Sequence, residues 1–291
     1  MPATLRTPSP PDVQQIEAIH ALVAGVVREE GREPLSDQAL TQLGDPRLEH
    51  VLVYEDDRVV GYAQLAGRSL EIAAAPDAIG PLLEAFAGRD VLVWSHGEHS
   101  RIARVLDQHG FLRQRELFQL RRPMTEPIEV PSIPDGVELR PFEVGRDEDA
   151  WLAVNSAAFA HHPEQGSWTA VDLRAREEEP WFDADGFLLA WRGDELLGFH
   201  WTKVHPNGDG EVYVIGIAPA AQGMGLGKTL LMHGLDWLRR RGCPEVLLYV
   251  DGDNTAAVRL YERTGFVRHD LDVQWRSPAA QSAETGTVSN T

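Results

Sequence analysis

Apolar residues recur along the chain at two different spacings. "EVYVIGIAP" (residues 211–219) is a short run rich in β-branched and aromatic residues, which predicts a strand. "LGKTLLMHGLDWLRRRG" (226–242) places its apolar residues at helical steps, ends in arginines and stops at Gly242, which predicts a helix. The glycine-rich stretch "AQGMGLGKT" (221–229) therefore joins a strand to a helix N-terminus. A second apolar run, "EVLLYVD" (245–251), is followed by "NTAAVRLYERTGF" (254–266). There Asn254 stands at a helix start and Gly265-Phe266 at its end.

The same order of patterns occurs twice. "VLVWSHGEHSRIARVLDQHGF" (91–111) aligns without a gap on "VLLYVDGDNTAAVRLYERTGF" (246–266), at an offset of 155. "VVGYAQL" (59–65) likewise matches "LLGFHWT" (196–202). An internal duplication of one α/β unit accounts for both. "RRPMTEPIEVPSIPDG" (121–136) carries four prolines and reads as an extended linker. The small, polar residues 277–291 predict a disordered tail. These signals divide the chain into bodies at 1–122 and 137–276, joined by a linker at 123–136. The first body is 12 residues shorter between the matched Pro76 and Val91 than the second is between Pro219 and Val246. The missing piece includes the glycine loop, where the first body reads "APDAIGPLLEAF".

Composition narrows the class. The chain has 291 residues, 43% of them apolar, enough for packed cores. Its net charge of −18 argues against a nucleic-acid partner, which needs a basic face. Cys243 is the single cysteine, so no internal disulfide can form. No apolar run reaches the length of a membrane span, and the N-terminus lacks a signal-peptide core. A cytoplasmic, monomeric protein with no membrane partner is expected. His161 and His162 precede a proline and read as loop residues, and no metal-ligand set is evident.

The glycine loop suits an anion. A nucleotide P-loop would need glycine at position 222, which is Gln222. Gln222-x-x-Gly225-x-Gly227 opening a helix instead turns amide N–H groups and the helix dipole toward one point. The sequence strand, Q-x-x-G-x-G, helix, strand, N-x-x-A-x-x-x-Y, G-F resembles the GNAT superfamily of acetyltransferases. That resemblance implies an α/β (α+β) chain with two tandem GNAT-like domains. Each would hold a mixed, mostly antiparallel central sheet flanked by helices.

It also implies acetyl-CoA as co-substrate. The donor would be held by Ile215, Gly216 and Ile217, by the loop Gln222, Gly223, Met224, Gly225, Leu226, Gly227 and Lys228, and by Asn254, Thr255, Ala256, Ala257, Val258 and Arg259. Glu211 is implied as the base that frees the acceptor amine, and Tyr261 as the acid that protonates the departing sulfur. At the matched offset the first body has His99 for Asn254, Leu106 for Tyr261 and Arg68 for Glu211. It is expected to bind no acetyl-CoA and to catalyse nothing.

"FAHHPEQGSWTAVDL", "WFDADGF", "GFHWTKVHP" and "GEVYVIGIAP" are similar to the mycothiol synthase family of actinobacteria. This implies acetylation of the cysteinyl amine of cysteinyl-glucosaminyl-inositol, a pseudo-disaccharide thiol. Glu164, Lys203, Glu211 and Tyr249 would contact that acceptor, with Asp37 reaching in from the first body. Asp37 reads equally as the start of a helix capped by Ser36. Two alternatives stay open: another small amine as acceptor, or a non-catalytic acyl-CoA sensor.

Overall fold

A computed structural model describes residues 4–97, 100–160 and 165–278, without the side chain of Asp37. Its contacts form two compact units. One comprises Met1–Phe118, Asp251–Asp253 and Asp270–Thr291; the other comprises Gln119–Val250 and Asn254–His269.

The first unit begins with β1 (Thr4–Arg6), α1 (Val13–Glu30) and α2 (Asp37–Thr41). The hairpin strands β2 (Glu49–Glu55), β3 (Arg58–Ala66) and β4 (Ser69–Ala74) follow, then α3 (Pro76–Ala85), β5 (Leu92–Ser95) and α4 (Arg101–Gln108). Asp12 caps α1 through a reciprocal bond with Gln15. The strands lie in the order β1, β2, β3, β4, β5, with only β4 and β5 parallel. The next neighbour of β5 comes from the far end of the sequence. Residues of β12 (Val267–Arg276) pair antiparallel with it, Val273 opposite Ser95 and Arg276 opposite Leu92. The alternation Leu271, Val273, Trp275 sends three side chains into this unit's core, and Trp275 Nε1 donates to Ser95 Oγ at 2.9 Å.

β6 (Leu112–Pro123) makes the reverse exchange, its last residues belonging to the second unit. Arg121 donates to Glu245 at 2.6 Å, Arg122 to the Thr264 carbonyl at 2.8 Å, and the Met124 amide to the Pro244 carbonyl at 2.9 Å. The stretch read as a linker from Arg121 is thus strand through Pro123. The first of its prolines, Pro123, is the last residue of the strand.

The second unit contains β7 (Glu138–Pro141), α5 (Glu148–Ala158), α6 (Ala170–Glu177), β8 (Phe187–Arg192), β9 (Glu195–Val204), β10 (Gly210–Ile217), α7 (Leu226–Arg240), β11 (Glu245–Asp251) and α8 (Thr255–Arg263). Its sheet runs β6, β11, β10, β9, β8, β7. Period-two alternation along β8 and β9 gives the sheet two apolar faces. Phe187, Leu189, Phe199 and Trp201 pack with Trp151 and Leu173 from α5 and α6. Ala190 and Leu197 pack with Leu226 and Leu230 of α7 on the other. α7 comes close enough that a Cβ on Gly234 would collide with the imidazole of His200. No helix among the described residues is long and apolar enough to cross a membrane.

Candidate active site

β10 and β11 run parallel but pair only at Gly210 with Val246 and at Glu211 with Leu247. Beyond Glu211 no ladder joins them, so the edge of β10 carrying Ile215, Gly216 and Ile217 lacks a strand partner on that side. On its other side β10 stays paired with β9 through Ile217, opposite Gly198. That ladder slips between Val212 and Val214, leaving Tyr213 as an extra residue. An extra residue bends its strand and re-aims its side chains.

The glycine loop closes this gap at the C-terminal end of β10. After a single turn at Pro219–Ala221 the backbone turns left-handed at Gly223 (φ 81°) and Gly225 (φ 77°). Gly225 is the N-cap of α7 and offers no side chain to its first amides. The amides of Leu226, Gly227 and Lys228 therefore begin the helix without a side-chain cap, at the positive end of its dipole. Gly225 is fixed by its φ. Gly227 is not: a Cβ there would find no protein atom nearer than 3.8 Å. Nothing within the fold requires glycine at 227. Gln222, Met224 and Lys228 are exposed around this amide cluster.

α8 packs beside the same helix start, with Leu260 Cδ2 3.9 Å from the position of a Gly227 Cβ. Asn254 caps α8, its Oδ1 accepting from the Ala257 amide at 3.2 Å. Thr255, Ala256 and Arg259 are exposed on its first turns, while Ala257 and Val258 are half-buried. Tyr261, one turn further, is buried and stands edge-on to Phe266 at 5.8 Å. Burial pushes its phenol well above the usual tyrosine range. Its hydroxyl makes no hydrogen bond among the described residues.

Glu211 opens β10 with only 8% of its surface exposed. Its Oε2 lies 2.7 Å from His205 Nε2. Lys203 stands directly opposite it on β9. The Lys203 ammonium lies 4.8 Å from the centre of the Trp181 ring and 5.6 Å from that of Tyr213. The Tyr213 hydroxyl accepts from Arg176 Nε at 3.1 Å, and burial raises its pKa.

Tyr249, on β11, is 45% exposed and its hydroxyl accepts from Gln119 Nε2 at 2.7 Å. Glu164, His99, His161 and His162 lie outside the described residues. Asp37 begins α2 behind Ser36, whose Oγ accepts from the Ala39 amide at 3.2 Å; its side chain also lies outside. No group of three or more potential metal ligands comes together among the described residues.

His205, Trp181, Tyr213 and Arg176 were not singled out by the sequence reading. His205 had a signal. "HPNGDG" (205–210) is a turn between two strands, so its first residue, His205, lies close to Glu211, the residue that follows it. Trp181 and Tyr213 lie within the quoted blocks "WFDADGF" and "GEVYVIGIAP", but spacing does not tell that their rings meet the Lys203 ammonium, because Trp181 comes from a loop remote in sequence.

The first unit handles the matched positions differently. α3 starts at Pro76 immediately after β4, with Ala75 as N-cap and no glycine loop between. Proline removes one of the free amides such a helix start would offer. Leu106 is fully buried in that unit's core. A shallow cleft in this unit is lined by Val26, Arg32, Ile72, Trp94, His96 and Ile102, among others, and includes none of the residues of the second unit's site.

Residues 151–266 match the acetyltransferase (GNAT) family. The mycothiol acetyltransferase of Thermomonospora curvata is 47% identical over 279 residues, covering 91% of this chain and 94% of that one. That of Streptomyces coelicolor is 45% identical over 296 residues, covering 95% and 96%. Among solved structures, a GCN5-related N-acetyltransferase from Sphaerobacter thermophilus is 25% identical, with a TM-score of 0.70 over 94% of this chain and 95% of that one. A tandem GNAT protein from the clavulanic acid biosynthesis pathway, 17% identical, shares the fold with a TM-score of 0.70 over 96% and 99%.

Proposed function

This chain belongs to the mycothiol acetyltransferase family of the GNAT acetyltransferases, and from that premise we propose that it acetylates the cysteinyl amine of cysteinyl-glucosaminyl-inositol, with acetyl-CoA as donor. The reading rests on one juxtaposition. An uncapped helix start, α7, stands beside strands that part just beyond Glu211, and the helix bearing Tyr261 packs against that start.

The residues present fit an acyl-CoA donor. The amides of Leu226, Gly227 and Lys228 supply hydrogen bonds and positive potential for its pyrophosphate. Gly227 leaves the room at the backbone that such a group would fill. When bound, acetyl-CoA supplies an activated acyl carbon and a thiolate leaving group. The unpaired edge of β10 near Ile215–Ile217 offers amides to a developing oxyanion. Glu211 takes the proton that an α-amino group, with a pKa of about 7.7–8.0, still carries in part at neutral pH. Tyr261 keeps its proton in the apolar interior until a thiolate appears to receive it. Lys203 and Tyr249 are assigned to the hydroxyl-rich acceptor.

The first unit is assigned no turnover and no acyl-CoA, because α3 begins on a proline with no loop before it. One donor per monomeric chain follows, and calorimetric titration giving two acetyl-CoA molecules per chain would contradict it. The defining experiment is CoA release by the purified chain with cysteinyl-glucosaminyl-inositol and a panel of other amines. Turnover on that acceptor above all others is expected. Preference for another amine would reject the acceptor, and donor binding without turnover on any amine would reject the enzyme.

A further inference from the structure

We infer that His205 is the positioning residue of the base: its imidazole holds Oε2 of Glu211 and leaves Oε1 to receive the acceptor's proton. The inference rests on the assignment of Glu211 as base and goes beyond it. The turn between β9 and β10 brings the two together and fixes His205 in place. The His205 amide donates to the Asp209 carbonyl at 2.8 Å, and the His205 carbonyl accepts from the Gly208 amide at 2.9 Å. Asn207 and Asp209 brace the turn with two further bonds, of 2.9 and 3.1 Å.

The obvious cationic partner is engaged elsewhere. Lys203 faces Glu211 across the ladder, yet no ion pair within 4.0 Å joins them, and its ammonium rests on Trp181 and Tyr213. Leu247, opposite Glu211 on β11, brings no charge. Other titratable or charged groups near the pair include Tyr213 of β10, Arg176 of α6 on its hydroxyl, Glu179 paired with that arginine, and Asp209 in the turn.

A neutral imidazole suits this task. Its N–H orients one carboxylate oxygen, while a full positive charge beside a carboxylate weakens it as a base. His205 is also the more open of the two, with 28% of its side chain exposed against 11% for Glu211.

The test uses the full chain with acetyl-CoA and cysteinyl-glucosaminyl-inositol across pH. His205→Leu removes the donor at similar volume. It should lower kcat about 10- to 100-fold, as misplacing a reacting group does, with KM for acetyl-CoA within twofold. His205→Gln restores an N–H near the Nε2 position and does not titrate. It should recover most of kcat, because the orienting hydrogen bond to Oε2 is restored. Wild-type turnover in His205→Leu, or a glutamine variant as impaired as the leucine one, would overturn the inference. If the leucine variant fails to fold, His205→Ala takes its place in the comparison, and native kcat in that variant would equally overturn the inference. Glu211→Gln separates the two levels. If it is impaired while His205→Leu is not, the inference alone falls; if it is fully active, the base assignment falls with it.

Discussion

Lys203 and Glu211 face each other across adjacent antiparallel strands without forming an ion pair. Opposite charges in such positions ordinarily attract. Here each has another partner: the carboxylate meets His205 at 2.7 Å, and the ammonium lies over Trp181 at 4.8 Å. The arrangement keeps a carboxylate and a cation side by side on one sheet face without neutralising each other. Lys203→Gln should therefore raise KM for the acceptor about tenfold, the loss of a good hydrogen bond to a charged group, and leave KM for acetyl-CoA unchanged. An effect on the donor alone would remove Lys203 from the acceptor site.

Glu211→Gln removes the proton acceptor but keeps the size of the side chain. The variant must then wait for the amine to lose its proton unaided. Its kcat/KM should rise with pH up to about 8, the range in which an α-amino group titrates, whereas the native enzyme retains activity below that. Superimposable pH profiles would discard the base.

Tyr261→Phe deletes one hydroxyl from a buried site that gives it no hydrogen-bond partner among the described residues. No internal bond is broken, so the melting temperature should hold or rise. kcat should fall about 100-fold or more, the usual worth of a positioned acid, with little change in KM for acetyl-CoA. Unaltered turnover would mean that water or another group protonates sulfur.

Gly227→Ala separates fold from ligand. The added methyl meets only ordinary contacts at 3.8 Å or beyond, and alanine favours a helix over glycine by about 0.5–1 kcal/mol. Thermal unfolding should shift upward or stay put, while KM for acetyl-CoA increases. A lower melting temperature with unchanged KM would show that this glycine serves the fold.

His200 predicts an acid limit to stability. It is fully buried against α7, and burial lowers its pKa from 6.5 to about 4, although Nδ1 donates to the Leu230 carbonyl at 2.9 Å. Well above pH 6.5 both folded and unfolded chains hold it neutral, so it adds no pH dependence to stability. As pH falls from 6.5 toward 4 the unfolded chain binds a proton that the native one refuses. Stability should therefore decline, by about 3 kcal/mol in total at about 1.4 kcal/mol per pH unit. Urea unfolding of wild type and His200→Gln at pH 7.5 and 5 measures this. Equal losses in the two proteins would assign the acid sensitivity to other groups.

The sequence by itself determined the local elements. Apolar spacing gave β10, α7 and α8, and the stretch 222–227 could be placed at a helix start because it joins a strand pattern to a helical one. The duplicated blocks gave the tandem order, and the missing loop before α3 could be counted from matched prolines. These features depend on residues within a few positions of one another, so the chain's linear order carries them.

Only tertiary structure decided the pairings made at long range. Nothing local says that Leu271, Val273 and Trp275 complete the first unit's sheet, because any core of suitable shape would accept their alternation. Nor could spacing reveal that Glu211 binds His205 rather than Lys203. That choice follows from the tight turn on one side and two aromatic faces on the other, which reach the ammonium from a loop and from a neighbouring strand. Short-range conformational preference is written residue by residue, whereas the partner of a buried charge is settled by which surfaces the fold has already brought within reach.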